Sequence, residues 1–221
     1  MLTKLLKGRK NDLIDNIETF FAQYQPKPLH VTKEYAVLIP IIKVDGIPHL
    51  LYEVRSQHIS QPGDTSFPGG RVEPNETFEE AAVRETVEEL QIPIESIHVL
   101  GAMDYIVQNN RVIHSVLAEI KGVDLLDIIW NEEVEEIYTV PIQYFIDNEP
   151  DHYTVLGMMK YPPDFPYDRI PNGKQYNFGK PKSTIPFYNL SDHYLWGFTA
   201  SLTERLIHLI KENKLFDSKK E

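Results

Sequence analysis

The stretch from Gly69 to Glu89 constrains this chain most, because it joins a glycine bend to a run dominated by one sign of charge. Between residues 76 and 89, Glu76, Glu79, Glu80, Glu85, Glu88 and Glu89 face Arg84 as their sole cation. Pro62, Gly63, Pro68, Gly69 and Gly70 mark Gln61–Glu73 as a loop, and the spacing beyond it predicts a helix from about Thr77 to Leu90. Thr77 and Glu80 have the separation of a capping box, and Pro93 marks the exit. On such a helix Glu85, Glu88 and Glu89, at i, i+3 and i+4, share one face, while Val83, Val87 and Leu90 share the opposite one. The three carboxylates are therefore expected to project away from the core-facing side.

A polar face opposite an apolar one is ordinary for any surface helix, so position alone decides little. Sign is more telling. Like charges at i,i+4 each cost a helix roughly 0.2–0.5 kcal/mol, and a purely structural face would usually mix Lys with Glu. Crowded carboxylates are what a hard divalent cation needs, which makes Glu85, Glu88 and Glu89 candidate ligands of Mg²⁺ or Mn²⁺. Gly69 and Gly70 suit the same site, since a residue without Cβ lets the backbone approach a metal or a phosphate. Arg84, four residues from both Glu80 and Glu88, is expected to orient a carboxylate through two hydrogen bonds rather than to touch substrate.

Elsewhere the pattern is mixed. Leu13, Ile14, Ile17, Phe20 and Phe21 recur at helical spacing and Pro26 and Pro28 end the run, so residues 1–28 are expected to be an amphipathic extension packed on the domain or on a partner chain. Tyr35–Lys43 and His49–Arg55 read as strands flanking a hairpin at Asp45-Gly46. Strands are also expected near Val99–Val107 and Arg111–Ile120, joined at Asn109-Asn110, and near Glu136–Val140, followed by a short helix at Pro141–Ile146. Tyr161–Pro186, rich in Pro and aromatics, suits an ordered loop, and Trp196–Leu215 suits a helix with Leu202, Leu206, Leu209 and Ile210 along one side. Together these give an α+β fold, an αβα sandwich around a mixed sheet with amphipathic helices at both ends, and one domain over residues 1–221.

Composition excludes several alternatives. With no cysteine there is no disulfide, thiolate metal site or cysteine nucleophile. A net charge of −11 argues against a generic nucleic-acid surface, and an anionic substrate would need a cation to offset that field. Asp12, Asp15 and Glu18 come soon after the basic start, so no secretory h-region forms, and no segment approaches the roughly 20 apolar residues of a membrane span. A soluble, cytoplasmic protein is the expectation. Neither a Walker loop, a dinucleotide fingerprint nor a His-Glu-x-x-His motif is present.

Gly70, five residues, Glu76, seven residues, then Arg84-Glu85-Thr86-Val87-Glu88-Glu89 resembles the Nudix box. Two positions depart from it: Thr86 replaces an aliphatic residue, and Gln91 replaces the glycine after the last glutamate pair. Leu51–Arg55, Ser56, Gly63 and Phe67-Pro68-Gly69-Gly70 resemble the extended motif of coenzyme A pyrophosphatase-type members, placing the box region at residues 63–92. There Glu53 stands where threonine is usual, the spacer before Gly63 is one residue short, and its usual arginine is absent. The later Trp196–Ala200 is similar to that subgroup too.

The resemblance implies metal-dependent hydrolysis of a nucleoside diphosphate joined to another group, coenzyme A or its derivatives first, yielding 3′,5′-ADP and 4′-phosphopantetheine. ADP-ribose or another nucleotide is the alternative substrate, and a nucleotide sensor without turnover the alternative activity. Arg84, Glu85 and Glu88 are the catalytic candidates; Gly69, Glu85, Glu88 and Glu89 the metal-binding ones; Arg55, Gly70 and Arg71 the substrate-binding ones. The general base is Glu85 or a carboxylate of Asn131–Glu136, although an acidic run before a strand is usually a solvated edge. The terminal helices leave a homodimer open.

Overall fold

The structure, a computed structural model, describes residues 13–108 and 110–215; the basic start and Asn109 lie outside them. The chain divides into two compact units, Met1–Thr32 and Lys33–Glu221. In the first, residues 13–21 are helical (α1), with Leu13, Ile14, Ile17, Phe20 and Phe21 all exposed.

The second unit is built on a seven-stranded mixed sheet. β1 (Lys33–Val44) lies parallel to β6 (Arg111–Ile120), with Tyr35 opposite Ile113, and β6 pairs antiparallel with β5 (Ile97–Gln108). The expected hairpin joins β1 to β2 (Ile47–Arg55): Asp45 and Gly46 both take positive φ, 52° and 80°, as the twist of a two-residue hairpin demands. β1 and β2 stay paired only from Ile41/Leu50 to Val44/Ile47 and then part. Two short strands fill the gap: β3 (Thr65–Ser66) pairs with the far half of β2, and β4 (Gly69–Arg71) with the near half of β1. The outer edge of β2 carries β7 (Val134–Pro141).

Alternation along the strands separates two cores. Ala36, Leu38 and Val116 point toward Ala81 and Ala82 of α2 (Phe78–Leu90), and Ile42 and Leu51 toward Leu90 and Ile92. Ile39, Leu50 and Tyr52 point the other way, to Phe145 of α3 (Ile142–Asp147) and to Ala200, Leu202, Leu206 and Ile207 of α4 (Gly197–Glu212). This is the expected sandwich of helices on both faces of a mixed sheet.

One expectation is corrected. The Pro-rich stretch to Pro186 ends as a strand, not a loop: β9 (Lys182–Asn189) lies between β8 (Asp151–Leu156) and β10 (Tyr194–Trp196) in a second, antiparallel sheet. Pro186 is opposite His152 of β8, but β10 pairs only from Phe187 onward. Proline thus stands where β9 has one neighbour, the edge position it tolerates. Residues 161–181 do remain irregular, with short 3₁₀ turns at Tyr167–Arg169 and Gly173–Gln175.

Candidate functional site

The parting of β1 and β2 creates the site, because it lets the glycine bend reach the flank of α2. Thr77 caps that helix: its side chain accepts from the Glu80 N–H, and the Glu80 carboxylate accepts from the Thr77 N–H at 2.8 Å. The capping box occupies Glu80, so Arg84 turns elsewhere. Its Nε and Nη2 donate to the two Glu76 oxygens at 2.8 and 3.1 Å, Nη1 donates to Glu85 at 2.8 Å and to Glu88 at 3.3 Å, and Nη2 also reaches the Arg71 carbonyl at 3.1 Å. A two-bond clamp exists as expected, but its partner is Glu76, not Glu80. The Arg84 hydrogen bonds hold the Glu76 carboxyl below its usual range, and Glu76 in turn raises the guanidinium.

Packing forbids a side chain at Gly69 and sets the Glu85 carboxylate directly against Gly70. A Cβ on Gly70 would overlap the Glu85 carboxylate, and one on Gly69 would run into the Ala36 carbonyl and Val37. The Gly69 N–H instead donates to Glu89 Oε2 at 2.8 Å.

The expectation that all three carboxylates project away from the core is overturned for Glu89. The buried face of α2 consists of Ala81, Ala82, Thr86, Glu89 and Leu90, with Glu89 6% exposed, while Val83 and Val87 are only half-buried. Small alanines let α2 lie close to β1, and that rotates Glu89 inward. Burial pushes the Glu89 carboxyl up to about 8, against the single hydrogen bond from Gly69. Glu85 is also raised, again mainly by burial, whereas Glu88 is exposed. Both departures from the box prove compatible with the helix. Thr86 is fully buried and donates to the Ala82 carbonyl at 2.7 Å, and Gln91 ends the helix in the left-handed conformation that glycine would otherwise supply (φ 49°).

Two further acidic residues join this group: Glu53, which sequence reasoning does not place there, and Glu133, one of the loop carboxylates offered as a general base. Glu53 of β2 is 2% exposed and shares the strand face of Leu51, under α2. Burial first, then the Glu89 charge, raise its carboxyl well above the ordinary range, and its Oε1 is buried without a hydrogen-bond partner. Glu133, exposed in the loop before β7, raises Glu53, Glu85 and Glu89 by its charge. An acid flanked by Tyr52 and Val54 in a strand is the available signal for Glu53; nothing local distinguishes Glu133 from its acidic neighbours.

Among the described residues no three His, Asp or Glu side chains are placed tightly enough to enclose an ion. The donor chemistry nevertheless fits a hard divalent cation: oxygen donors only, two of the carboxyls buried and one with an orphaned oxygen.

Arg55, at the end of β2, leads from this group to a cleft of about 570 Å³. Its Nε donates to the Ser60 carbonyl at 2.8 Å, so it is held at the rim. Phe67, Ile106, Ile185, Trp196 and Phe198 supply a largely apolar wall. Glu85, Glu88 and Glu89 do not line the cleft, and Arg71 is exposed at the end of β4, outside it. No helix among the described residues is long and apolar enough to cross a membrane.

Residues 33–156 match the model of the NUDIX domain. The human mitochondrial coenzyme A diphosphatase NUDT8 is 29% identical over 180 residues, 79% of this chain and 68% of that protein. Nudix hydrolase 3 of Caenorhabditis elegans is 26% identical over 212 residues, covering 92% and 85%. An uncharacterized Nudix hydrolase, NudL of Photorhabdus laumondii, is 26% identical over 204 residues, covering 90% and 98%. The Nudix family typically works with divalent metal cofactors. A domain match over more than half the chain, on a fold whose glycine bend and glutamate helix meet as described, establishes that this protein belongs to the Nudix family and is a pyrophosphohydrolase acting on a nucleoside diphosphate.

Proposed function

We propose that the protein hydrolyses the diphosphate of coenzyme A or its derivatives, releasing 3′,5′-ADP and 4′-phosphopantetheine, with Mg²⁺ or Mn²⁺ as cofactor. The observation that carries this reading is adjacency: Arg55 stands between the carboxylate-rich flank of α2 and a largely apolar cleft within the size range of small-molecule sites. A substrate with a charged diphosphate and a long, weakly polar arm suits that pairing. The motif over Leu51–Gly70 and the activity for which the human relative is named point the same way.

Gly69, Glu85, Glu88 and Glu89 are the residues that would hold the cation. When bound, it neutralises phosphate oxygens and lowers the pKa of the attacking water. Arg84 fixes the carboxylates: tied to Glu76, it holds Glu85 and Glu88 in one orientation through Nη1. Glu85 keeps Oε1 on Arg84 and takes the water proton on its second oxygen. Gly70 keeps the approach to Glu85 free of a side chain, while Arg55 and Arg71 meet phosphate oxygens. Water attacks one phosphorus, the bridging P–O bond breaks, and the second phosphate departs with its arm.

A product assay on coenzyme A and its thioesters, with Mg²⁺ and with Mn²⁺, tests this. Release of 3′,5′-ADP and 4′-phosphopantetheine is the expected result, and a strong preference for ADP-ribose overturns the assignment.

A further inference from the structure

Glu53 is the buried acid that the mechanism above leaves unused. It pairs with Ser66 of β3 and Ile137 of β7, and the strand alternation puts it on the α2 side, two residues beyond the Leu51 that packs with Leu90. Glu89, one residue before Leu90, is buried on the same side, with its Oε2 held by the Gly69 N–H at 2.8 Å. Arg55 brings a positive charge near both without pairing with either. The Nε of Arg55 donates to the Ser60 carbonyl at 2.8 Å, and among the described residues neither Glu53 nor Glu89 makes an ion pair. Glu53 Oε1 has no donor at all. A buried carboxyl with an oxygen unmet calls for either a proton or a cation on that oxygen.

We infer that Glu53 is a ligand of the divalent cation held on the flank of α2, meeting it from the strand side as Glu89 does from the helix. This rests on the cation site proposed above. It adds a carboxylate that lies outside the box, at a position where the resembling motif has a threonine, which has no charge to offer. Oxygen ligands from two separate elements would also tie β2 to α2 where β1 and β2 have parted.

The test is Mn²⁺ binding to the full-length, metal-free protein without substrate, read by electron paramagnetic resonance of the free ion and by the Mn²⁺-induced rise in Tm. Glu53→Gln and Glu53→Thr should each bind Mn²⁺ at least about tenfold more weakly, with a smaller rise in Tm and unchanged far-ultraviolet circular dichroism. Affinity within twofold of wild type in both variants, while Glu89→Gln loses the ion, overturns the inference and assigns a shared proton to Glu53 and Glu89. Unchanged affinity in Glu89→Gln as well would overturn the cation site itself. If the Glu53 variants do not fold, an anomalous map of the wild-type protein with Mn²⁺ decides: the ion is bonded to Glu53 or the inference fails. Coenzyme A takes no part in any arm, so the substrate assignment stands or falls separately.

Discussion

Tyr52 and Glu53 are consecutive residues of β2, both almost wholly buried, on opposite faces of one sheet. Tyr52 points to the α4 side, stacks on Phe67 and Tyr138, meets Phe145 edge-on, and shares a 3.0 Å hydrogen bond with Thr203. Every demand its side chain makes is met within the protein. Glu53, one residue on, points to the α2 side, where the charges of Glu89, Arg55 and Glu133 act on it and one of its oxygens is unmet. The α4 face is built as a core, with its polar atoms paired; the α2 face near Gly69 keeps a buried carboxyl oxygen that a proton or a cation must meet. Stability and chemistry are thus divided across a single strand, and a buried polar group is informative only when its partners are known.

Substitutions on each face break this contrast in different observables. Glu89→Gln should lower kcat by about 10³–10⁴-fold, roughly 4–5.5 kcal/mol of transition-state stabilisation, with Tm unchanged or raised in metal-free protein. Unchanged turnover in that variant and in Glu88→Gln would show that the α2 face is not the catalytic one. Tyr52→Ala, one residue from Glu53 and on the other face, should cost about 3–5 kcal/mol in denaturant unfolding through the lost ring packing. A loss under about 1 kcal/mol would mean the α4 core is looser than its contacts indicate.

Arg84→Lys should reduce activity by about 10–100-fold at unchanged global stability, since an ammonium cannot reproduce the fork that holds Glu76, Glu85 and Glu88 together. Kinetics at saturating Mg²⁺ would read it. The smallest effect separates helix geometry from both faces: Gln91→Gly should stabilise the protein by about 0.5 kcal/mol, because glycine takes the left-handed cap without a Cβ penalty, and leave kcat unchanged. A thermal melt that moves downward would contradict the cap reading.

The parts of the site legible in sequence are those set by local rules. The capping box at Thr77 and Glu80 and the Asp45-Gly46 turn depend on residues a few positions apart or on backbone freedom. The helix face does not follow so simply. Spacing counts Glu89 with the outward carboxylates, yet close packing of Ala81 and Ala82 on the sheet turns it inward. Helical intervals offer Arg84 both Glu80 and Glu88, but a capped Glu80 is already engaged and the loop residue Glu76 takes its place. β9 is hidden in the sequence because Pro186 argues against a strand until one knows that its flank has no neighbour, and with β9 goes the small sheet it shares with β8 and β10.

By itself, the sequence determined which chemistry is on offer: carboxylates with a lone arginine at helical intervals after a double glycine, in a chain without cysteine, and hence an oxygen-ligand, phosphate-handling Nudix helix. Periodicity and capping are short-range, so they survive in the one-dimensional string. Only the tertiary structure decided that Glu53, thirty-six positions before Glu89, shares its buried side of the sheet, and that Arg55 links this pocket of charge to an apolar cleft. Those are facts of strand pairing and of where β1 and β2 part, and desolvation of a carboxyl depends on what surrounds it in space rather than on what precedes it in the chain.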